Sequence, residues 1–314
     1  MKYGFLNNSD KKFPPILHVE NTNICNLKCI HCPQANPYEL ISNYKPQNMK
    51  FDLWKKIVDE VVLYKTALRL TPDGETMMPN DWCKFIDYAL KKNIYLLTFN
   101  TNGFFLENDK LEVLLQPSKT KIAIEISLDA LWKNSYDKIR KKSDYIRVYK
   151  NIFTLLEERK KRNLSNIKIM VSCINQPELE DNEFNLFIKY WEDIVDKVIT
   201  RTYVNTKGLT PEKKSVMAKV EKRWPCLVLF TRLVISMDGK VRFCPDDWKK
   251  ETVIGDVYNN SIAEIWQNKQ MNKLREMHLN YCGEKAHPTC AYCTDWKAIK
   301  WGYDYTKVLN DLFE

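Results

Sequence analysis

Short apolar segments alternate with longer amphipathic ones along most of the chain. The short segments have the length and composition of buried strands, whereas apolar residues in the longer ones recur every three or four positions, as in helices. The predicted strands cover residues 16–20, 67–71, 95–99, 122–128, 167–173 and 198–202. This alternation predicts an α/β fold in which a parallel sheet curls into a partial (β/α)6 barrel, with its active site at the carboxyl ends of the strands.

The pattern changes beyond residue 206. Residues 207–223 are highly charged and carry no apolar strand signal, so we interpret them as a linker. The chain is therefore predicted to contain a barrel domain over 1–206 and a small α+β domain over 224–314.

Two local signals describe the C-terminal domain. Apolar runs on either side of Asp238 and Gly239 predict a β-hairpin, because this pair is typical of a tight turn. Ser261 is followed three residues later by Glu264, which predicts a capping box at the start of a helix. This domain is therefore expected to begin with a hairpin and to continue with helices.

The composition is that of a globular protein, with 44% hydrophobic residues but only 8 glycines and 13 prolines among 314 residues. The net charge of +9 arises from basic residues interleaved with acidic ones, as in 157–162, which indicates a solvated surface and not a nucleic-acid-binding one. No apolar run approaches the ~20 residues of a membrane span, and the N-terminus lacks an apolar signal-peptide core. We therefore expect a cytoplasmic protein without a membrane or nucleic-acid partner.

The chain contains ten cysteines. In a reducing compartment, clustered thiols bind metal more often than they form disulfides. Cys83 and Cys173 lie in apolar elements and are interpreted as core residues. The others form two groups, Cys25, Cys29 and Cys32 near the N-terminus and Cys226, Cys244, Cys282, Cys290 and Cys293 near the C-terminus.

The first group has the spacing C-x3-C-x2-C in the loop after the first predicted strand. Three thiolates on one short loop can bind three irons of a 4Fe-4S cluster, which leaves the fourth iron open to an exogenous ligand. The alternative is a structural zinc site with His31 as the fourth ligand. The spacing favours the iron–sulfur cluster.

This motif, with the ring of His31 just before the last cysteine, resembles the signature of the radical S-adenosylmethionine (SAM) superfamily. The resemblance implies that the open iron chelates the amino and carboxylate groups of SAM. It also implies that one electron from the cluster cleaves SAM to methionine and a 5′-deoxyadenosyl radical, which removes a hydrogen atom from the substrate. An electron donor such as flavodoxin or ferredoxin is then expected as a partner.

The segment after the second predicted strand resembles a SAM contact of the superfamily. Asp73, Gly74 and Glu75 stand where the superfamily carries Gly-Gly-Glu, and the resemblance assigns Gly74 and Glu75 to the amino group of SAM. A glycine permits close backbone approach and a carboxylate suits an ammonium group. Asp73 departs from the pattern because it replaces the first glycine.

Two further residues resemble SAM contacts by their position. Ser127 ends the fourth predicted strand and Arg140 follows it, where related enzymes contact the ribose and the carboxylate of SAM. Arginine is well suited to a carboxylate. Asn100, at the end of the third predicted strand, is a further candidate for the same pocket.

Four cysteines of the second group are expected to converge. Cys226 and Cys244 flank the predicted hairpin, and Cys290 and Cys293 form C-x2-C. Four thiolates would fully ligate an auxiliary 4Fe-4S cluster suited to electron transfer, although the same set could by itself bind zinc. The radical SAM motif upstream favours the cluster.

The region from 224 to 301 resembles the SPASM/twitch group of C-terminal extensions. Shared features include the pair Cys244 and Pro245 after the hairpin and the final C-x2-C. A full SPASM domain carries enough cysteines for two auxiliary clusters, and this sequence is short of that set. It therefore resembles the twitch arrangement with one auxiliary cluster, as in an aminocyclitol dehydrogenase. Cys282 is a further candidate, either as a cluster ligand or as a hydrogen donor to a substrate radical, and the alternative is a thiol with neither role.

These resemblances imply oxidation of a carbinol or amine carbon of a small molecule, such as an amino sugar or aminocyclitol, with the auxiliary cluster as electron acceptor. Asp246 and Asp247 could pair with a substrate amine. The alternatives are an epimerase that uses a thiol such as Cys282, a maturase of ribosomal peptides, and a noncatalytic zinc-binding adaptor. About 15 residues precede the first predicted strand, which leaves little room for a peptide-recognition domain and favours a small substrate.

Overall fold

A computed structural model describes residues 12–42, 44–70, 73–204, 206, 209–210, 223–297 and 305–314. The strands are β1 (Ile16–Val19), β2 (Ala67–Leu70), β3 (Leu96–Thr101), β4 (Lys121–Ser127), β5 (Ile167–Asn175), β6 (Lys197–Thr202), β7 (Arg232–Ile235), β8 (Lys240–Arg242) and β9 (Val253–Asp256). The α-helices are α1 (Pro37–Leu40), α2 (Phe51–Val61), α3 (Trp82–Lys91), α4 (Asn108–Leu114), α5 (Lys133–Ile139), α6 (Tyr145–Lys161), α7 (Glu183–Trp191), α8 (Val228–Thr231), α9 (Ile262–Trp266), α10 (Lys269–Leu279), α11 (Gly283–Ala286), α12 (Pro288–Ala291) and α13 (Tyr305–Asp311). The predicted linker at 207–223 lies almost entirely outside the described residues.

The first six strands form the parallel part of one sheet. They pair in the order β1-β2-β3-β4-β5-β6, each parallel to its neighbour, and helices connect successive strands. The free side of β1 pairs with β7 and not with β6, so the barrel is open. The predicted partial (β/α)6 barrel is therefore confirmed.

The C-terminal hairpin extends this sheet instead of forming a separate one. β7 is parallel to β1, with Ile16 opposite Arg232, and β8 and β9 follow as antiparallel strands. Between β7 and β8, Gly239 adopts φ +85°, a left-handed conformation that favours glycine. This confirms the predicted hairpin, and it shows that one sheet runs through both predicted domains.

The helices cover the outer face of the barrel. Outward-facing strand residues such as Leu17 and Leu68 pack in the main core against helix residues such as Trp54, whose indole donates to the carbonyl of Phe85 at 2.8 Å. The capping box predicted at Ser261 is present at the start of α9. Within the described ranges, no helix combines the length and apolar character needed to cross a membrane.

Inward-facing residues at the amino ends of the strands form an apolar layer. The layer consists of the buried side chains of Ile16, Ala67, Leu96, Ala123 and Met170, and the partly buried Ile199 of β6 packs against them. Val308 and Leu309 of α13 pack against it. The chain thus returns to the barrel after the C-terminal hairpin and helices and closes its lower end, although 305–311 falls within the segment predicted as the second domain.

The next inward layer is polar and charged. Because side chains alternate between the two faces of a strand, residues two positions further along point to the same side. The residues that follow the apolar layer in this way are His18, Arg69, Thr98, Glu125, Ser172 and Arg201. This charged layer separates the apolar layer from the carboxyl ends of the strands.

Candidate active site

A cavity of about 560 Å³ lies at the carboxyl ends of the barrel strands. Its wall contains all of the residues predicted to bind the first cluster and SAM, namely Cys25, Cys29, Cys32, Gly74, Glu75, Asn100, Ser127 and Arg140. The fold brings these residues together from separate segments, and their individual roles remain predictions. A second cavity of about 600 Å³, at the amino ends of the strands, contains none of them.

Backbone hydrogen bonds fix the loop that carries the first three cysteines. The amides of Lys28 and Ile30 donate to carbonyls of Lys141 and Ile139, at 2.9 and 3.1 Å. The cysteine loop is therefore docked on the end of α5. This contact places the thiols next to the segment that supplies Arg140.

Burial raises the pKa of all three thiols in this loop. For Cys32, burial and the neighbouring Cys29 raise the pKa to about 12. For Cys25, burial is joined by the carboxylate of Glu75. Because iron binds the thiolate form, positively charged irons would hold these cysteines deprotonated in a site that otherwise favours the thiol.

The donor set fits an iron–sulfur cluster better than a single metal ion. The three thiols lie on one loop. Beside them, Nη1 of Arg140 lies 3.8 Å from Sγ of Cys29. Among the residues the structure describes, no three His, Cys, Asp or Glu side chains converge closely enough to hold one ion. A 4Fe-4S cluster does not need such convergence, because each thiolate binds a different iron atom.

The loop after β2 packs directly on the cysteine loop. The amide of Glu75 donates to the carbonyl of Ile24 at 2.8 Å, and a Cβ atom on Gly74 would lie 2.5 Å from the backbone nitrogen of Ile24. The Glu75 carboxylate accepts hydrogen bonds from the Thr101 hydroxyl at 2.7 Å and the Asn102 amide at 2.8 Å. These hydrogen bonds fix the Glu75 carboxylate at the cavity wall. Burial raises the pKa of this carboxylate.

Arg140 is anchored in a buried ion pair with Asp129. The Asp129 carboxylate also lies 3.5 Å from Nε2 of His31 and accepts the amide of Ile174 at 2.9 Å. Burial alone would raise the pKa of Asp129, but Arg140 and His31 lower it. Sequence reasoning did not identify Asp129. Its position two residues beyond the carboxyl end of β4 is the signal that could have found it.

The C-terminal domain contributes to the same cavity. Asp246 and Trp248, from the loop after β8, line it, and the Trp248 indole donates to Oδ1 of Asp246 at 3.3 Å. Asp247 is buried instead, and its carboxylate accepts the amide and hydroxyl of Thr252, both at 2.7 Å. Of the two acids predicted to meet a substrate amine, Asp246 thus lies at the cavity, whereas the carboxylate of Asp247 forms hydrogen bonds within the loop.

Asp73 lies near a buried ion pair between Glu20, at the end of β1, and Arg242, on β8. Burial and the nearby Glu20 raise the pKa of Asp73 well above its usual range. The residue that departs from the superfamily pattern is therefore part of the packing between the loop after β2 and the C-terminal hairpin.

The second group of cysteines lies outside this cavity. Cys226, Cys244, Cys290 and Cys293 are partly buried. The amide of Cys226 donates to Nδ1 of His278 at 3.2 Å, and Arg223 donates to the carbonyl of Cys290 at 2.7 Å. Cys282 is also partly buried, with Sγ 3.5 Å from the carbonyl of Asn280, and it is not among the described residues that line the cavity.

A family model for the radical SAM superfamily matches residues 19–181, which is more than half of the chain. The chain belongs to the radical SAM superfamily. A second model, for the SPASM iron–sulfur cluster-binding domain, matches residues 226–294. The radical SAM domain therefore binds a 4Fe-4S cluster and SAM, and the SPASM domain binds auxiliary iron–sulfur clusters.

Several known proteins resemble this radical SAM protein in sequence. AlbA, the antilisterial bacteriocin subtilosin biosynthesis protein of Bacillus subtilis, is 22% identical over 93% of this chain and 69% of its own length. A GTP 3′,8-cyclase of Clostridium botulinum is 30% identical over 55% of this chain, and an uncharacterized protein of Treponema pallidum is 28% identical over 35%. The matched regions span 53% and 30% of those two proteins, which is less than two thirds of their lengths.

Solved structures share the fold. SuiB of Streptococcus suis, bound to the precursor peptide SuiA, gives a TM-score of 0.68 at 14% identity and covers 98% of this chain and 75% of its own. BtrN in complex with AdoMet and 2-DOIA gives 0.59 at 18% identity and covers 91% and 94%. Native anSMEcpe with bound AdoMet gives 0.60 at 15% identity and covers 95% of both chains. At such identities the likeness establishes the fold alone.

Proposed function

We propose that this radical SAM enzyme oxidises a carbon that bears a hydroxyl or amine group in a small molecule of the amino sugar or aminocyclitol type. One observation carries the proposal. Cys244 follows β8 closely, and Asp246 and Trp248, just beyond it, line the cavity that contains the first three cysteines. Cys244, the proposed cluster ligand, thus stands two residues along the chain from Asp246 on the cavity wall, which supports an electron acceptor beside the substrate.

In this proposal each group of residues holds one cofactor. Cys25, Cys29 and Cys32 hold the first cluster, and Glu75, Ser127 and Arg140 hold SAM, with Gly74 and Asn100 completing the pocket. One auxiliary cluster is held by Cys226, Cys244, Cys290 and Cys293. When bound, these groups supply the electron that cleaves SAM to methionine and a 5′-deoxyadenosyl radical, and an acceptor for one substrate electron.

Oxidation of a carbinol or amine carbon removes a hydrogen atom, a proton and an electron, and it gives a ketone or an imine. The hydrogen atom leaves in 5′-deoxyadenosine and the electron goes to the auxiliary acceptor, so the proton requires a base in the cavity. Asp246 is a carboxylate from the SPASM domain on the cavity wall. We assign to it the pairing with a substrate amine and the removal of this proton.

Peptide modification is the second candidate function. It is supported by the similarity to AlbA, which extends over 93% of this chain, and by the fold shared with SuiB, whose structure contains a precursor peptide. The same cavity would then receive a peptide side chain. The cluster and SAM residues would keep the roles assigned above.

The mass of the product separates these functions. We expect the reduced, reconstituted enzyme to convert an amino sugar or aminocyclitol from a substrate panel into a product that has lost two hydrogen atoms. One deoxyadenosine should form per product, with deuterium transferred into it from the labelled carbon. Both quantities are measured by mass spectrometry.

Other outcomes would contradict oxidation. A product whose mass is unchanged in ordinary water, but which gains one deuterium in heavy water, would indicate epimerisation. Hydrogen loss from a peptide, with no turnover of any small molecule, would indicate a maturase. Zinc in the purified protein without deoxyadenosine formation would indicate an adaptor and would contradict the proposal as a whole.

We expect the Asp246→Asn substitution to raise KM for an amine substrate about tenfold, because it removes a charge-assisted hydrogen bond, and to lower kcat, because asparagine cannot accept the substrate proton. Iron content and the deoxyadenosine formed in the absence of substrate should not change. Asp137→Asn is the matched control, since Asp137 pairs with Lys133 on the surface of α5. Steady-state kinetics check the prediction, and an unchanged KM would remove Asp246 from the substrate site.

A further inference from the structure

The charged layer below the cavity is unusual, because the interiors of such barrels are ordinarily filled by branched apolar side chains. His18, Arg69 and Arg201 of this layer line the cavity, together with Arg232 at the start of β7. The oxidation proposed above assigns no role to any of them. Burial and the nearby Arg232 and Arg69 lower the pKa of His18 well below its usual range, so His18 is neutral. The three arginines and this neutral histidine form the cationic floor of the cavity.

The cationic floor carries more positive than negative charge. Glu125 lies 3.0 Å from Arg69 and 2.6 Å from Arg201, measured between the closest charged atoms. Burial alone would raise the pKa of Glu125, but Arg201 and Arg69 lower it to about 2. One ionised carboxylate thus faces two guanidinium groups.

Two buried nitrogens of the floor have no hydrogen-bond partner among the described residues. They are Nη1 of Arg69 and Nε2 of His18, and both side chains line the cavity. Arg69 and His18 are only 5% and 6% exposed. Because buried polar groups nearly always have a partner, the cationic floor is suited to receive one from a ligand.

Arg69 is held rigidly. Its guanidinium group lies 3.6 Å from the centre of the Tyr305 ring, and its Nη2 donates to both Asn100 and Glu125. A guanidinium group fixed in this way loses little conformational freedom on binding, and its planar donors match the oxygens of a carboxylate or phosphate.

We propose that the cationic floor binds an anionic group of the substrate, either a carboxylate or a phosphate, through Arg69, Arg201 and Arg232. The inference rests on the proposed function, since it assigns a substrate class to the same cavity. The carboxylate of SAM does not need the floor, because it is assigned to Arg140. A substrate with an acidic group directed at the floor and an amine directed at Asp246 matches the charges of the cavity.

The test is calorimetric titration of the reconstituted protein, saturated with SAM, with sodium phosphate and separately with sodium acetate. We expect saturable binding of one anion per chain, and the anion that binds identifies the group. Arg69→Gln and Arg201→Gln should each weaken it about tenfold or more. Each variant leaves Glu125 with one arginine partner, so the fold should persist. Unchanged iron content and SAM affinity of the variants would verify that the fold persists.

Arg162→Gln is the matched control, because Arg162 pairs with Glu112 and Glu158 on the surface. Its anion affinity should equal that of the wild type. Binding of neither anion, or equal binding by the wild type and both floor variants, would overturn the proposal. Displacement of SAM by the anion would also overturn it, since the floor would then belong to the SAM site. Anion binding is measured without turnover. The anion can therefore fail to bind while the oxidation is observed, or bind while no oxidation is observed, so the two proposals are tested separately.

Discussion

Replacement of Cys25, Cys29 and Cys32 by alanine is expected to lower the iron content of the reconstituted protein from about eight to about four atoms per chain. It should also abolish deoxyadenosine formation. The three thiols line one cavity on a single docked loop, and without them neither the cluster nor the open iron that chelates SAM can form. Iron and sulfide analysis under anaerobic conditions, with chromatography of deoxyadenosine, measures both effects.

Cys83→Ala is the control for this variant, because Cys83 lies half-buried on α3 and does not line the cavity. It should retain the full iron content. Unchanged iron in the triple variant would show that the three cysteines are not ligands. About four irons in the wild type and none in the variant would leave the SPASM cysteines without a cluster and would contradict the proposed electron acceptor.

The Gly74→Ala substitution is expected to reduce deoxyadenosine formation about 100-fold, which is the scale of a displacement of about 1 Å in an active site. The new Cβ would lie 2.5 Å from the nitrogen and 2.7 Å from the carbonyl carbon of Ile24. These are backbone atoms that cannot rotate away, so either Cys25 or Glu75 must move. We expect a higher Kd for SAM and a partial loss of iron.

Gly239→Ala separates this local effect from general destabilisation. A Cβ at Gly239 would lie 2.8 Å from the Tyr258 ring, in a hairpin turn outside the cavity. This variant should have a lower Tm but normal iron content and SAM affinity. If Gly74→Ala lowers Tm while its SAM affinity stays normal, the close packing at Ile24 serves the fold and not the SAM site.

Most strands and helices could be predicted because their signals are local. The fourth predicted strand, 122–128, differs from β4 by one residue at each end, and the turn at Gly239 and the capping box at Ser261 are both present. In each case residues within a short window determine the conformation. Apolar periodicity, a turn pair and a capping pair are such signals.

The partners of two elements could not be predicted in the same way. Three apolar residues, Leu233, Val234 and Ile235, identify β7 as a strand, but nothing near them in sequence shows that it pairs with β1. The same holds for α13, whose Val308 and Leu309 pack inside the barrel. A hydrophobic face shows that an element is buried, but it does not show against what.

The candidate site was predictable where its chemistry depends on spacing. The three cysteines, Glu75 and Arg140 stand at recognisable intervals and meet at one cavity. Arg69 and Glu125 were missed, because a single charged residue barely changes the apolar average of a strand. Their inward positions two residues after Ala67 and Ala123 were the available signal.

The position of α13 makes the folding of the barrel depend on the order of synthesis. Its residues, 305–311, follow the SPASM match at 226–294, yet they pack against Ile16 and the other first residues of the strands. On the ribosome, β1 to β6 emerge and can pair long before α13 exists, and until then the apolar layer faces water. The radical SAM barrel therefore completes its core only after the SPASM domain has been translated.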